Sequence, residues 1–512
     1  MRRAEETEFA IAPATAGTPL LRWLYGEIRD AILSGRLSPG TRLPASREFA
    51  RQHHVSRGVV LNAFAQLAAE GYLVGKVGKG TFVAEALPVS SRSAPMRKKE
   101  ASAGILSRCG ELLAQSPFPL RELPFPPRPF RPNQPDVAAF PLRIWNRIAA
   151  RRAGLLQRAQ LLSCDPAGYP PLRRAIADHL RRSMGVSCRS EHVVILSSAQ
   201  QGFDLCARLL LDPGDEVWIE DPGYMGARRI FAAAGADIVG VPVDSEGLDV
   251  ANAVRAAPHA RLVYVTPAHH TPLGMPMALH RRLELLRWAR AAKAIVIEDD
   301  YDGEFRYGSL PLAPLKSLDD DDRVIYAGTF SKLLFPSLRL AYLIVPDRLV
   351  EAFTTALSLC SRHASLLPQL LLHEFIADGH LARHIREMRS LYAERAAMME
   401  HLARSRLSGL LAMPQIATGL DAAALLQFRV DDRRIAAALA QGGIETRPIS
   451  DYRQSVAGPS GLVMGFAAFD SAAMEEGVIQ IAKILEGVAS KIQCDDGGPP
   501  GPEISAEVGG NL

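Results

Sequence analysis

Val324-Ile325-Tyr326-Ala327-Gly328-Thr329-Phe330-Ser331-Lys332-Leu333-Leu334-Phe335-Pro336-Ser337-Leu338-Arg339 is the stretch that decides how the chain is read. Val324–Ala327 is a β-branched and aromatic run behind the acidic turn Asp319–Asp322, which predicts a short strand. It opens into a small, hydroxyl-bearing loop and delivers one lysine at the strand's carboxyl end, where open α/β sheets bind ligands. Lys332 has hydroxyls before it and a cation, Arg339, after it. A phosphorylated carbonyl compound needs such a set: an amine to condense with the carbonyl, and hydroxyls and a guanidinium for the phosphate. A single lysine after a strand is more often a solvated surface residue, so the reading depends on what the other strand ends carry.

Those ends are polar. From Phe140 to about Glu486 strand and helix patterns alternate, which predicts an α/β fold with a mostly parallel sheet. Val193–Leu196 runs into Ser197-Ser198-Ala199-Gln200-Gln201-Gly202, a small-residue turn opening a helix, whose free N–H groups suit an anion. Glu216–Ile219 is followed by Glu220-Asp221-Pro222-Gly223-Tyr224, and Arg261–Thr266 by Pro267-Ala268-His269-His270-Thr271-Pro272-Leu273-Gly274. Ala294–Ile297 is followed by Glu298-Asp299-Asp300-Tyr301-Asp302. A pyridinium ring works as an electron sink only while its nitrogen stays protonated, and a partly buried carboxylate such as Asp299 keeps it so. A solvated acidic turn suits Asp302 and Glu304 better. His269 and His270 have no carboxylate or cysteine at ligand spacing beside them, so no metal is expected.

The bulk numbers set limits. With 512 residues, two or more domains are expected. The net charge of +4 names no partner, and 48% apolar with 22% charged residues is ordinary for a soluble protein. Six cysteines without CxxC or metal spacing read as reduced thiols of a cytoplasmic protein. No apolar leader and no 18-residue apolar run is present, so neither export nor a membrane partner is expected.

The head of the chain is basic. Between Arg42 and Lys79 stand Arg42, Arg47, Arg51, Arg57, Lys76 and Lys79 against Glu48 and Glu70. Leu20–Ser34 is helical, Leu43–Arg51 begins a second helix with Ser46 as its expected cap, and Ser56 caps a third over Arg57–Glu70. Tyr72–Val74, a Gly75–Lys79 turn and Gly80–Val83 make a hairpin. This winged helix-turn-helix order puts the third helix in the major groove and the wing's lysines on phosphate. The expected divisions are an arm over 1–18, the winged unit over 19–84, a polar, basic and Pro-rich linker over 85–128, the large domain over 129–490 and a disordered tail over 491–512. Within the linker, Ala103–Ala114 has the pattern of a short helix.

Two resemblances follow. Leu43-Pro44-Ala45-Ser46-Arg47-Glu48, Val55-Ser56-Arg57-Gly58-Val59-Val60, Leu67–Leu73 and Gly78–Val83 resemble the DNA-binding head of GntR-type bacterial regulators. The resemblance implies contacts to double-stranded operator DNA by Arg47, Ser56, Arg57, Asn62, Lys76 and Lys79. Asp165–Arg173, Glu220–Tyr224, His269–Gly274, Glu298–Tyr307 and Gly328–Lys332 with Arg339 resemble fold-type I aminotransferases that depend on pyridoxal 5'-phosphate (PLP). Together the chain is similar, over nearly its whole length, to the MocR/GabR subfamily of GntR regulators. That resemblance implies PLP joined to Lys332 as an imine and Asp299 on the pyridine nitrogen. It also puts Tyr301 on the phenolic oxygen, Tyr224 on or beside the ring, and Ser331, Arg339, Ala199 and Gln200 around the phosphate. Thr271 stands where many aminotransferases carry Asn. The arginine that binds a substrate carboxylate in aminotransferases falls at Val463 here, with Arg447 and Arg453 as nearby substitutes.

Three functions fit. The first is a homodimeric, PLP-dependent transcription regulator that senses a small amine, an amino acid or PLP itself through exchange at Lys332. The second is a competent aminotransferase carrying a DNA-binding head. The third is a DNA-binding protein whose body only dimerises, against which Lys332, Asp299 and Arg339 argue.

Overall fold

The computed structural model describes residues 19–85, 106–115, 126–308, 313–454 and 457–495. Its internal contacts divide it into two units, Met1–Ile105 and Leu106–Leu512.

In the first unit α1 (Leu20–Leu33), α2 (Ser46–Gln52) and α3 (Arg57–Ala69) are followed by the hairpin β1 (Leu73–Lys76) and β2 (Gly80–Val83). Leu24, Ile28 and Ile32 of α1, Phe49 of α2 and Val60, Phe64 and Leu67 of α3 form its core, with Leu73 and Val83 from the hairpin. Helical spacing of those residues explains why three short helices hold together. Ser56 caps α3, accepting the Val59 N–H at 3.3 Å. Ser46 does not cap α2: it is the first helical residue, Ala45 holds the cap position without a side-chain bond, and the Ser46 hydroxyl instead accepts from Arg57 Nε at 3.4 Å. Arg42 bridges to Phe82 and widens the wing. The arm expected over 1–18 lies outside the described residues.

The second unit begins with α4 (Arg108–Ala114), then α5 (Leu142–Ala153) and α6 (Pro170–Ser183). An eight-stranded sheet follows. Its strands are β3 (Val193–Leu196), β4 (Glu216–Asp221), β5 (Asp237–Asp244), β6 (Gly247–Leu248), β7 (Leu262–Val265), β8 (Ile295–Asp300), β9 (Val324–Thr329) and β10 (Ala341–Ile344). They lie in the order β3-β10-β9-β8-β7-β4-β5-β6. β9, β8, β7, β4 and β5 run parallel, while β10 and β6 are antiparallel to their neighbours. The five strands expected from sequence are all present. α7 (Ala199–Leu210) and α8 (Met225–Ala233) follow β3 and β4.

Alternation along the strands sorts the two faces. Leu262, Tyr264, Ile297 and Ile325 pack with Phe203 and Phe231 of α7 and α8, whereas Val263, Val265, Val296 and Val324 pack with Trp288 and Leu285. A four-stranded antiparallel sheet, β11 (Leu411–Ala412), β12 (Asp421–Leu426), β13 (Arg447–Pro448) and β14 (Gly461–Gly465), follows the helix His380–Arg406. The last helix, Ser471–Asp495, runs past the boundary at 490, because neither Gly nor Pro interrupts Ser490–Asp495. The rest of the expected tail lies outside the described residues. Among the described residues, no helix is long and apolar enough to cross a membrane.

Candidate functional site

Lys332 lies in a short helical turn, Phe330–Leu333, directly after β9. Its Nζ donates to the Asn133 carbonyl at 2.7 Å, and among the described residues no carboxylate forms a salt bridge with it. Burial lowers the pKa of this ammonium; the Asp421 and Asp302 carboxylates oppose that shift, and Arg447 adds to it. Asn133 also gives its N–H to Asp421 Oδ1 at 2.7 Å, with its own backbone at φ +64. One loop residue thus holds both the lysine and a carboxylate near it. Burial raises the Asp421 carboxyl to about 6.

Asp299 is the last but one residue of β8, on the face that carries Ile297. Tyr264 pairs in register with Ile297, so its phenol lies along the same face and donates to Asp299 Oδ2 at 2.5 Å. No basic side chain among the described residues forms a salt bridge with Asp299. Burial raises its carboxyl to about 7, against the pull of the Tyr264 hydrogen bond. A buried carboxylate with one hydroxyl donor and no cation is costly, and a protonated ring nitrogen would relieve it. The Tyr224 ring stacks over Tyr264 with centroids 6.3 Å apart, and Gln200 Nε2 donates to the Tyr224 hydroxyl at 2.7 Å. Gly226 makes room for that pair: a Cβ there would stand 2.1 Å from Gln200 Nε2.

Tyr301 donates to the His269 carbonyl at 3.1 Å, and Thr271's side chain meets its hydroxyl. His269 Nδ1 lies 2.9 Å from Asp302 Oδ2, both buried. Burial pulls the imidazole's pKa down, but the Asp302 carboxylate more than reverses this and leaves it raised. Gly419, at φ +83, passes so close that a Cβ would stand 1.9 Å from His269 Cε1. His270 Nδ1 accepts from Leu273 N at 3.2 Å, and its Nε2 lies 3.8 Å from Glu220 Oε2. The pair therefore faces carboxylates brought by other strands; the described residues contain no group of three or more side chains suited to a metal.

The expected phosphate end lies at the start of α7. Ser198 caps it, accepting from Gln201 N, and leaves the Ala199 and Gln200 N–H groups at the helix's positive end. Ser331 is half-buried beside Lys332, and its N–H donates to Thr329 Oγ1 at 3.2 Å. Arg339, at φ +52 after the turn Pro336–Leu338, is exposed, and no hydrogen bond or ion pair joins it to another described residue.

Two expectations need correction. Asp302 and Glu304 are buried rather than solvated: Asp302 holds His269, and Glu304 lies 2.7 Å from His179. Of the two substitute arginines, only Arg447 lies beside Val463. It pairs in register with Val463, side by side on β13 and β14, hydrogen-bonds Tyr452, and its charge reaches Lys332 and Tyr224. Arg453 turns away and donates to the Pro459 carbonyl. Sequence reading missed Tyr264, Asn133 and Asp421. A phenol within the apolar run Leu262–Val265 was the available signal, since a buried hydroxyl must find a partner. Nothing local marked the other two.

In the first unit Arg47, Ser56, Arg57, Asn62, Lys76 and Lys79 are all exposed. Arg57 and Asn62 project from α3; Lys76 and Lys79 flank the wing's tip, and Lys76 Nζ lies over the Phe82 ring at 5.2 Å.

Comparison with known proteins agrees with both units. The family profile described as bacterial regulatory proteins, gntR family, matches residues 22–83, and that of aminotransferase class I and II matches residues 143–451. The chain is 37% identical to a probable rhizopine catabolism regulatory protein, MocR, of Rhizobium meliloti, covering 90% of this chain and 93% of that one. It is 32% identical to the HTH-type pyridoxine biosynthesis transcriptional regulator PdxR of Corynebacterium glutamicum, over 87% and 92%. Among solved structures, the alpha-aminoadipate aminotransferase LysN of Thermus thermophilus, complexed with N-(5'-phosphopyridoxyl)-L-leucine, superposes with a TM-score of 0.65 at 26% identity, covering 71% of this chain and 92% of that one. The kynurenine aminotransferase of Pyrococcus horikoshii gives 0.65 at 24%, covering 78% and 97%. The chain belongs to the gntR family of bacterial regulatory proteins, in the MocR-type branch whose body is an aminotransferase class I and II domain.

Proposed function

We propose that this protein is a PLP-dependent transcription regulator, acting as a homodimer in the cytoplasm. Its winged unit holds operator DNA, its large unit senses a small amine that carries a carboxylate, and the interval 85–128 links them. The observation that carries the reading is the pairing of two unmatched groups: a half-buried Lys332 without a carboxylate partner, and a buried Asp299 without a cation.

PLP, when bound, supplies a carbonyl that condenses with primary amines and a protonated ring that draws electrons. Asp299 holds the proton at the ring nitrogen, and Tyr264 keeps that carboxylate in place. Lys332, its pKa lowered by burial, is more often neutral than a free lysine and so more nucleophilic. Ala199 and Gln200 N–H groups, Ser331 and Arg339 take the phosphate, while Tyr224, Tyr301 and Thr271 fix the ring's attitude. Arg447 is the anchor for the effector's carboxylate, as its guanidinium suits bidentate pairing. The effector changes operator affinity only by as much as its own affinity differs between the two states of the protein.

The test is a titration of PLP-loaded protein with a panel of amines, reading visible absorbance and operator affinity together. An amino acid should shift both, and Arg447→Gln should weaken its action about tenfold or more, the scale of a lost charge-assisted pair. Steady multiple-turnover transamination with a keto acid, and no change in operator binding, would replace this reading with that of an aminotransferase.

A further inference from the structure

A second cleft, of about 330 Å³, opens in the large unit between α8, the turn Ile449–Tyr452 and the helix α4. It is lined by Arg228, Arg229, Arg453 and Gln454 over an apolar floor that includes Leu112 and Ile238, and among the described residues by no acidic one. Three arginines from two elements thus line one concavity. Arg228 is half-buried; burial and the adjacent charge of Arg229 lower its pKa, and Asp221 is the carboxylate that opposes them. Asp221 is itself engaged by the Gln454 N–H at 2.8 Å. Arg229 makes only a 3.4 Å contact to Gln115, and Arg453 reaches a carbonyl, Pro459. None of the three forms a salt bridge with a described residue.

Gathering like charges over apolar side chains costs free energy that an anion returns. We propose that this cleft binds a small phosphate-bearing anion between Arg228, Arg229 and Arg453. Three planar forks offer more donors than one carboxylate can accept, whereas a phosphate has three oxygens and nearly two charges. The cleft is separate from the Lys332 pocket but tied to its walls. Arg228 lies one turn beyond Tyr224 on α8, Arg453 directly follows Tyr452, and Gly223 N donates to the Tyr452 carbonyl at 3.0 Å. Its third wall, α4, is the first helix of the large unit. An anion seated here therefore bears on α8, one turn from Tyr224, and on α4, the first helix of the large unit.

The experiment is calorimetry on the full chain, saturated with PLP so that the cofactor's own phosphate site is filled, with pyrophosphate as probe. One saturable site per chain is expected. Arg228→Gln and Arg453→Gln should each weaken it about tenfold, Arg228→Lys less, all with PLP absorbance unchanged. Leu112→Glu, which puts a carboxylate in the cleft from a different element, should weaken it similarly if either arginine variant fails to fold. Repeating the titration with inorganic phosphate and with a phosphorylated sugar separates a free phosphate from an esterified one. Absence of saturable binding, or equal affinity in the glutamine variants and in Leu112→Glu, overturns the proposal. So does displacement of pyrophosphate by an unrelated duplex, which would make the cleft a seat for strand phosphate.

Discussion

Tyr264 donates its hydroxyl hydrogen to Asp299 Oδ2 at 2.5 Å, across neighbouring parallel strands and on one face of the sheet. The bond favours the ionised carboxylate, while burial favours the neutral acid and leaves the group near neutrality, at about 7. Tyr264→Phe removes that donor and nothing else of similar size. Asp299 should then hold its proton to higher pH and pair less well with a cationic ring nitrogen. A hydrogen bond to a charged group is worth about 1.5–3 kcal/mol, so PLP affinity should fall at least about tenfold at neutral pH. Titration of the apoprotein followed by absorbance measures this; an unchanged affinity would remove Tyr264 from the site.

Among the described residues Lys332 is the one lysine whose amine faces this carboxylate set, and its hydrogen bond there is to the Asn133 carbonyl. Reduction of the PLP-loaded protein with borohydride should leave the cofactor's mass on the peptide that contains Lys332. Lys332→Ala should show neither the adduct nor the visible band, while the winged unit, which has its own core, still binds DNA. An adduct on a different lysine would move the site.

The strands, the head and the polar strand ends were legible because each rests on local pattern: β-branched runs, capping serines and loops rich in small residues. What sequence could not show comes from register and from distant loops. Tyr264 meets Asp299 only because β7 and β8 pair Tyr264 with Ile297. Arg447 lies beside Val463 because β13 and β14 pair them, across an antiparallel pair in which no local motif fixes the register. Asp302 looked solvated in a run of acids, yet the loop carrying Gly419 closes over His269 and buries both partners. Asn133 lies far along the chain from both Asp421 and Lys332.

Glu220 supplies a pH prediction. It is buried at the end of β4, accepting from Thr266 N and Oγ1 at 3.0 and 2.8 Å, with His270 and Asp299 as its titratable neighbours. Burial raises its carboxyl from 4.5 to about 8. Between those values the folded protein keeps a proton that the unfolded chain releases, so stability falls as pH rises through this window. His270, pulled by burial from 6.5 to about 3, gives the opposite slope, but only below 6.5. The comparison therefore belongs between pH 6.5 and 8. There Glu220→Gln, which keeps an acceptor for Thr266 but cannot ionise, should lose less stability than wild type by about 1–2 kcal/mol. Parallel urea denaturation curves for the two proteins would show that Glu220 does not titrate in this range.

Arg57 begins α3, one residue after the cap, and is exposed apart from its 3.4 Å contact to Ser46. At that position a guanidinium reaches either a base edge or a phosphate, and the two outcomes differ in measurable ways. If it reads a base, Arg57→Ala should weaken operator binding by about 1–3 kcal/mol and relax sequence preference at one position, with the salt dependence little changed. Lys79→Ala, at the wing, should instead weaken operator and unrelated DNA alike and lower the salt slope by about 1. Both variants should keep wild-type PLP absorbance, because the two units have separate cores. Ser56→Ala separates contact from scaffold. It removes the cap on Val59 N, so it should lower the winged unit's stability by about 1 kcal/mol, along with any loss of DNA affinity. Salt-dependent binding isotherms for the three variants, on operator and on scrambled duplex, decide these assignments. Unaltered operator affinity in Arg57→Ala across the salt series would take α3 out of the groove.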